Sequence, residues 1–441
     1  MNSESLSFHL PSPRPTYSID TLIKQSTLSH GLQTCIEELQ KNIHPSRYQY
    51  HSRKNYLSVM PIHASFDFQR WLKTSCSRLF TMLVQRMFYS NGKCMVRDPH
   101  RLALSILSRS TLWRLLSKPV SVTCAATLAV HRDQICSVTF HPTLSLMATC
   151  SLYNTAKLWQ LDSKNLSVTC VAILGGHSNK VNFVAFHPIL PILATGSDDG
   201  TAKLWRLSSD NSVATCVATC VATLNEHKDW VCSVAFHSTL PILVTGSLDK
   251  TAKLWQILQD YSSVTCVETL KGHSDCVNSV AFHSTLPILA TGSQDNTAKL
   301  WQLSSDNSAA TCVATLEGHR YEIRSVAFHP TAPILATGSR DNTTKLWRLS
   351  SDNSAATCVA TLELGHTGWH VHSVTFHPSA PLLATCTCDT VKLWRLNSDN
   401  SGASCVATLA DPPEWPTSVT FHPTLSLLAT ANSDGEVKLW R

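Results

Sequence analysis

Seven tryptophans recur along the last three-quarters of this 441-residue chain, at intervals of 46 to 50 residues. They are Trp159, Trp205, Trp255, Trp301, Trp347, Trp394 and Trp440. Each one closes a near-copy of the same phrase, such as the run from Leu193 to Trp205. A fixed period of this length indicates one small structural unit copied along the chain. Because a single unit cannot bury its own apolar face, we expect neighbouring units to stack.

Within one repeat, the pattern predicts short strands and no helix. Residues 323–328 alternate apolar and polar side chains with a period of two, which is typical of a half-buried strand. Residues 310–316, 334–338 and 343–347 are similar short runs, separated by turn-forming residues. Seven such units predict an all-β fold, a seven-bladed β-propeller whose blades are four-stranded antiparallel sheets.

The turn containing Gly and His, the turn containing Asp, and the terminal Trp of each unit resemble the signature of WD repeats. The resemblance covers about residues 121–441. It departs in one respect, since Gln160 and Arg206, for example, stand where Asp normally follows the Trp. We predict that the extra strand at 122–128 pairs with the last repeat and closes the ring, and the resemblance implies the same closure. Closure would remove an exposed sheet edge.

Repeats two to six also share a His, a Thr, an Asp and a Trp at matched positions. These sets are His177, Thr195, Asp199 and Trp205; His227, Thr245, Asp249 and Trp255; His273, Thr291, Asp295 and Trp301; His319, Thr337, Asp341 and Trp347; and His366, Thr385, Asp389 and Trp394. A hydroxyl, an imidazole and a carboxylate also make up nucleophilic active sites. An active site is normally singular, however, whereas this set recurs five times. The resemblance implies a buried hydrogen-bond relay in each blade, so we predict no catalytic residues and no enzyme activity.

The partner-binding positions are expected where side chains vary while the framework repeats. In WD repeats, the positions beside the first inner strand and before the turn Asp often line the face that binds partners, here called the top face. Aromatic residues and arginines are enriched at binding hot spots. The predicted binding residues are Lys180, Asn182, Trp230, Leu248, Tyr321, Arg324, Arg340, His370, His372 and Trp415. The alternative is that the aromatic side chains pack on neighbouring loops.

Seven of the 17 cysteines occupy one position in successive repeats: Cys124, Cys170, Cys220, Cys266, Cys312, Cys358 and Cys405. Equivalent positions should lie a blade's width apart, which is too far for disulfides. We expect these cysteines to be small buried apolar groups. That indicates a reducing compartment, the cytoplasm or the nucleus.

The sequence predicts neither a metal site nor a cofactor. Cys386 and Cys388 form a close pair, but no second pair has the spacing of a zinc finger. A further histidine follows Phe once in each repeat. We interpret that series as repeat identity and not as metal ligands.

Residues 1–120 differ from the rest of the chain. They carry 16 Lys and Arg against 6 Asp and Glu, while the remainder carries 20 against 24. Residues 66–88 and 102–116 place apolar side chains at helical spacing among basic ones. We therefore predict a basic N-terminal extension, partly helical and partly disordered. Its helices would suit an anionic membrane surface or a partner helix, or would dock on the propeller. No apolar run is long enough to predict a transmembrane segment.

Together these observations predict a non-enzymatic scaffold that assembles multiprotein complexes through its propeller faces. The expected partners are other proteins or peptides, with a monomeric propeller inside a larger complex. Two alternatives remain open. In one, the protein is an RNA-associated scaffold whose basic extension contacts phosphates. In the other, it is a substrate-recognition adaptor of a ubiquitin ligase, although the extension has no convincing F-box pattern.

Overall fold

A computed structural model of the chain describes residues 122–209, 216–258, 261, 263–364, 370–409 and 415–441, and two short strands before them. The two short strands, β1 (Tyr89–Ser90) and β2 (Lys93–Cys94), pair antiparallel with each other. The helices predicted at 66–88 and 102–116 fall on residues that the structure does not describe.

From residue 122 onward, the described chain forms seven four-stranded antiparallel sheets, or blades, and contains no helix. Blade 1 consists of β4 (Ile135–Phe140), β5 (Leu146–Ser151), β6 (Ala156–Leu161) and β7 (Val168–Leu174). Blade 2 consists of β8 (Val181–Phe186), β9 (Ile192–Ser197), β10 (Ala202–Ser209) and β11 (Cys216–Leu224). Blade 3 consists of β12 (Val231–Phe236), β13 (Ile242–Ser247), β14 (Ala252–Ile257) and β15 (Val264–Leu270).

The remaining four blades repeat this order. Blade 4 consists of β16 (Val277–Phe282), β17 (Ile288–Ser293), β18 (Ala298–Leu303) and β19 (Ala310–Leu316). Blade 5 consists of β20 (Ile323–Phe328), β21 (Ile334–Ser339), β22 (Thr343–Leu349) and β23 (Ala356–Glu363). Blade 6 consists of β24 (Val371–Phe376), β25 (Leu382–Thr387), β26 (Val391–Leu396) and β27 (Ala403–Leu409). Blade 7 consists of β28 (Pro416–Phe421), β29 (Leu428–Asn432), β30 (Glu436–Trp440) and β3 (Cys124–Ala129). The predicted seven-bladed propeller is confirmed.

Each blade is offset by one strand from the sequence repeat. The first strand of a repeat is the outermost strand of the preceding blade, so β7 belongs to blade 1 although it begins the second repeat. In blade 7 the outermost strand is β3, the first strand of the whole array, which pairs with β30. The backbone N–H groups of Thr123 and Arg441 each donate to the other residue's carbonyl at 3.0 Å. The first and last strands of the array therefore close the ring through backbone hydrogen bonds.

The blades pack face to face through their second strands, which are buried along their whole length in blades 1 to 7. In blades 2 to 5 this packing is closest at a glycine of the second strand. A Cβ added to Gly338 in blade 5 would lie 2.6 Å from Val371 Cγ1 and 2.8 Å from Val374 Cγ1 of blade 6. The Gly of the repeated phrase therefore sets how closely neighbouring blades approach.

Serines on the inner strands add hydrogen bonds between blades. The hydroxyl oxygen of Ser279 in blade 4 accepts the backbone N–H of Val326 in blade 5 at 3.1 Å. Matched bonds join Ser233 to Val280, Ser325 to Val374, Ser373 to Val419 and Ser418 to Val138, at 3.1 to 3.4 Å. Phe183 stands at the matched position of blade 2, where no hydroxyl is present.

The histidines that follow Phe in each repeat form a second contact ring around the propeller. Each imidazole packs on the Phe of the next blade with ring centroids 4.7 to 5.3 Å apart. The pairs are His141 and Phe186, His187 and Phe236, His237 and Phe282, His283 and Phe328, His329 and Phe376, His377 and Phe421, and His422 and Phe140. In each turn Nδ1 also accepts two backbone N–H groups, as His377 does from Ser379 and Ala380 at 3.1 and 2.9 Å. These side chains join the blades, a role that their repetition alone did not indicate.

Candidate partner-binding face

Four of the five predicted side-chain sets form a continuous hydrogen-bond relay, and blade 3 illustrates it. The Trp255 indole Nε1 donates to Thr245 Oγ1 at 2.9 Å. Thr245 Oγ1 lies 2.6 Å from His227 Nε2, and His227 Nδ1 lies 2.7 Å from Asp249 Oδ2. An indole can only donate and an ionised carboxylate can only accept. The relay therefore runs from the indole through the hydroxyl and the imidazole to the carboxylate.

The same relay recurs in blades 2, 4 and 5 with distances of 2.7 to 2.9 Å. It joins His177, Thr195, Asp199 and Trp205; His273, Thr291, Asp295 and Trp301; and His319, Thr337, Asp341 and Trp347. Burial lowers the pKa of His177 and of His273 below the usual value, which keeps both imidazoles neutral. Burial raises the pKa of Asp199, but hydrogen bonds from Thr201 and His177 outweigh burial and bring it down to about 2.

The relay is shorter in blade 1, and only part of it is described in blade 6. In blade 6 Trp394 donates to Thr385 at 2.8 Å, but Asp389 accepts from Thr387 at 2.6 Å; His366 falls in a stretch that the structure does not describe. In blade 1 His131, which was not among the predicted sets, lies 2.7 Å from the hydroxyl of Thr149. Tyr153 replaces the carboxylate there and is 62% exposed.

The relay geometry argues against nucleophilic catalysis at these sets. Thr195, Thr245, Thr291 and Thr337 are fully buried, at 0% exposure. Each of these hydroxyls both accepts from a tryptophan and contacts a histidine, so its hydrogen-bonding capacity is used inside the blade. The arrangement holds the turns of the top face on a rigid sheet.

Replacing Thr245 with valine is expected to lower the free energy of unfolding by about 3 kcal/mol, because the Trp255 indole and the His227 imidazole both lose their hydroxyl partner. The matched control is Thr430→Val in blade 7. Thr430 accepts from Trp440 at 2.9 Å, and repeat seven has no His at the matched position. The decrease in the free energy of unfolding should be roughly half as large in Thr430→Val as in Thr245→Val. Equal losses in urea unfolding would show that the imidazole contact contributes nothing.

A β-bulge near the start of the first strand of every blade redirects one side chain, and in three blades that side chain reaches the neighbouring blade. The bulged residues are Cys136, Asn182, Cys232, Asn278, Arg324, His372 and Thr417. Bulges commonly redirect a side chain in this way. Asn182, Asn278 and Thr417 donate to the carbonyl of the first inner-strand residue of the next blade, at 3.0, 2.9 and 2.6 Å. The seven residues therefore form one ring at the top face.

Two clusters of the predicted binding residues lie on this ring. In the first, Lys180 Nζ lies 3.1 Å from the Asp198 carboxylate and 5.1 Å from the centroid of the Trp230 ring. Asn182 Nδ2 donates to the same carboxylate at 2.7 Å. Asp198 is buried, whereas Trp230 is 41% exposed. The carboxylate thus holds a cation over one face of the indole, a favourable cation–π arrangement.

The second cluster is centred on Glu322 of blade 5 and reaches blade 6 through the contact between Arg340 and His370. The Glu322 Oε1 accepts from Arg324 Nε and Nη2, at 3.0 and 2.6 Å, and from Arg340 Nη1 at 3.1 Å. Arg340 Nε donates to His370 Nε2 at 3.0 Å, and His370 Nδ1 lies 3.0 Å from the Arg340 carbonyl. A guanidinium can only donate, so this imidazole is the neutral Nδ1–H tautomer. Glu322 and Arg324 occupy the two variable positions that flank the start of the first inner strand, two residues apart in the extended chain.

His372 lies beside this cluster, with Nε2 2.9 Å from the Cys388 Sγ. Burial lowers its pKa to about 4, and the charge of Arg324 adds to the effect. Arg324 also acts on blade 3: burial raises the pKa of the Cys232 thiol to about 12, and the guanidinium opposes that rise. The Arg324 side chain is therefore close enough to blades 3 and 6 for its charge to act on both.

The other predicted residues sit apart from these contacts. Tyr321 is 61% exposed next to Glu322, and Trp415 is 59% exposed with a positive φ of 39°. Leu248 is half-buried; its N–H donates to the Trp230 carbonyl at 2.9 Å. The structure thus groups seven of the ten predicted residues into or beside the two clusters and leaves the Tyr321, Trp415 and Leu248 side chains outside them.

The expectation that the repeated cysteines are buried was wrong. Cys124, Cys170, Cys220, Cys312, Cys358 and Cys405 are exposed, and Cys266 is half-buried. They lie on the outermost strand of each blade, which has no further strand beyond it. Each Sγ donates to the carbonyl two residues onward, at 3.5 to 3.7 Å. The compartment inferred from their burial remains a prediction.

Among the described residues, no group of three or more His, Cys, Asp or Glu side chains could hold a metal ion. Within the same residues, no helix is long and apolar enough to cross a membrane.

The comparison with protein families matches the repeats directly. The family model described as WD domain, G-beta repeat, matches residues 122–160, 168–206, 218–256, 264–302, 310–348, 356–395 and 403–441. These segments make up more than half of the chain, which therefore belongs to the WD-repeat family. A comparison with curated proteins gave no match.

Proposed function

We propose that this chain is a non-enzymatic scaffold that assembles protein complexes through its top face. The observation that carries the proposal is the pair of charged and aromatic clusters centred on Asp198 and Glu322. Both clusters present exposed side chains, Trp230 in one and Arg340 in the other, on loops anchored by the buried relays. Binding residues on loops above a rigid framework are how such folds acquire function.

The composition of the two clusters suits a protein partner. Protein interfaces are enriched in aromatic residues and arginine, and their hot spots combine both. Trp230 offers an indole already stacked against Lys180, and Arg324 is already oriented by Glu322. Pre-oriented side chains lose little conformational entropy on binding, which favours their use as anchors.

The test is affinity purification of the full chain from cells, compared with a Trp230→Ala plus Arg324→Ala double variant. We expect the variant to lose a defined subset of co-purifying proteins. The control is Arg206→Ala, which removes an exposed arginine from β10 of blade 2. Thermal unfolding of all three proteins checks that the propeller is intact. Identical partner lists for the wild type and the double variant would remove the top face from the proposal.

The two alternative functions depend on residues 1–120, most of which the structure does not describe. An RNA-associated role would show itself as binding that weakens steeply with salt, because phosphate contacts release counterions. A ubiquitin-ligase adaptor would co-purify ligase subunits through the extension. Both remain predictions from the sequence.

A further inference from the structure

We propose that the pair Arg324 and Arg340 is a binding site for an anionic peptide segment, one rich in carboxylates or bearing a phosphorylated side chain. The inference rests on the proposed scaffold function and names the chemistry of one partner. Its basis is the geometry around Glu322, where two guanidinium groups converge on a single carboxylate oxygen.

Both guanidinium groups have N–H donors that no contact within the described residues uses. A guanidinium has five N–H donors in a fixed plane. Arg324 uses two of them on Glu322, and Arg340 uses one on Glu322 and one on His370. Within the described part of the chain, no other protein acceptor contacts these two groups. The remaining N–H groups can donate to the paired oxygens of a carboxylate or a phosphoryl group, an arrangement that arginine favours.

The charges of the two arginines and Glu322 do not balance. Two positive groups share one negative group, and Glu322 is the only carboxylate that the described residues place in an ion pair with either arginine. His370 supplies no negative charge, so its contact with Arg340 does not balance either arginine. The cluster therefore carries an excess positive charge, and an anionic ligand would balance it.

The two arginine side chains are held in place before any ligand binds. Glu322 is mostly buried, with 13% of its side chain exposed, whereas the Arg324 and Arg340 side chains are 36% and 48% exposed. The carboxylate thus serves as a buried anchor that fixes both guanidinium planes while leaving them accessible. Arg340 is fixed further by its mutual contacts with His370. A ligand would meet donors that are already in place, which reduces the entropy lost on binding.

The site suits an extended peptide better than a small free anion. Tyr321, adjacent to Glu322 in sequence, exposes 61% of its surface and offers an aromatic contact for a neighbouring side chain. Arg324 also acts electrostatically on Cys232, which places it close to the inner ring of blade 3. A chain that lies across the top face would reach both the arginine pair and Tyr321.

The experiment measures fluorescence anisotropy of short labelled peptides with the full-length protein. One peptide is rich in glutamate, a second replaces each glutamate by glutamine, and a third carries phosphoserine in a neutral sequence. We expect binding of the first or third and none of the second. Tighter binding of the phosphoserine peptide would assign the site to phosphoryl groups, and the reverse order to carboxylates. Equal affinity for all three would overturn the proposal.

Two variants with opposite expected effects separate binding from folding. Arg340→Gln should weaken binding about tenfold, the loss expected when a charge-assisted contact is removed. Glu322→Gln should tighten binding, because it removes the competing negative charge while the amide oxygen can still accept from both guanidinium groups and hold them in place. A damaged propeller cannot produce that gain. The control Arg206→Gln removes the same charge from an exposed site on β10 and should leave the affinity unchanged.

Three results would contradict the inference: weaker binding by Glu322→Gln, an equal loss in Arg206→Gln, or preferential binding of a single-stranded RNA oligomer with the same dependence on Arg340. The last result would assign the guanidinium pair to nucleic-acid phosphates. If cellular partners still depend on Trp230 while no anionic peptide binds, this inference alone fails. If the partner list ignores the whole top face, the proposed function fails first.

Discussion

Replacing Gly435 with asparagine is expected to lower the free energy of unfolding by roughly 2–4 kcal/mol, because the new Cβ collides with backbone atoms at the ring closure. Gly435 lies in the turn between β29 and β30. A Cβ at this residue would be 2.3 Å from the His131 carbonyl oxygen and 3.0 Å from the Asp133 carbonyl oxygen. The Gly435 carbonyl also accepts the N–H groups of Val130 and His131 at 3.0 Å. Relieving the clash would therefore pull these two bonds apart.

The control is the same change at Gly200, which occupies the matched turn of blade 2. Its φ of 79° is close to the 80° of Gly435, but its Cβ would meet its nearest atom at 3.7 Å. Asparagine already occupies this turn position in other repeats, as Asn296 and Asn342, with φ of 70° and 65°. Gly200→Asn should therefore change stability by less than about 1 kcal/mol. Similar losses at both sites in urea unfolding would mean that backbone conformation, and not the closure contact, sets the requirement for glycine.

The second large effect is loss of stability in acid. Burial lowers the pKa of all seven histidines of the ring that contacts Phe, and brings it to about 4 in His377 and His422. In the unfolded chain the same imidazoles take up protons near the ordinary pKa of 6.5. The unfolded state thus binds more protons below that pH. The contribution of these histidines to the free energy of unfolding is at its maximum above pH 6.5 and is lost as the pH falls toward 4.

The loss should be steep because one such histidine occurs in every blade. Each contributes at most about 1.4 kcal/mol per pH unit, less the screening that partly exposed groups experience. Protonation would also break the hydrogen bonds that Nδ1 accepts, such as those from Ser379 and Ala380 to His377. The measurement is the free energy of urea unfolding between pH 7 and 4. A flat profile over this range would contradict the prediction.

A single replacement tests whether the ring is responsible. In His377→Asn the amide oxygen can accept the same turn N–H groups but does not titrate. The variant should be less stable than the wild type at neutral pH, because the contact with Phe421 is lost. Its stability should depend less on pH, by up to one proton in the slope. An unchanged slope would show that other buried groups cause the acid sensitivity.

The sequence was sufficient for the fold because the repeats fix it many times over. The spacing of the tryptophans gave the number of blades, and the alternation at 323–328 placed an inner strand where β20 lies. The sets of His, Thr, Asp and Trp were identified without coordinates because they recur at constant spacing. Such agreement across copies is a local and repeated signal.

The contacts that depend on register were not predictable in the same way. That Arg324 and Arg340 meet on Glu322 depends on a bulge in β20 and on the register in which β20 pairs with β21. The exposure of Cys312 depends on which side of an outermost strand faces solvent, and the sequence pattern did not distinguish the two sides. The contact between each His and the next Phe crosses a blade boundary and leaves no mark on the local pattern.

The pairing of β3 with β30 also constrains how the protein is made. During synthesis β3 leaves the ribosome before any other strand of the propeller, whereas β30 is the last of them to be made. The earlier blades can form while translation continues, but the seventh must wait until β30 has emerged. The nascent chain therefore carries β3 unpaired until that point, with an exposed sheet edge.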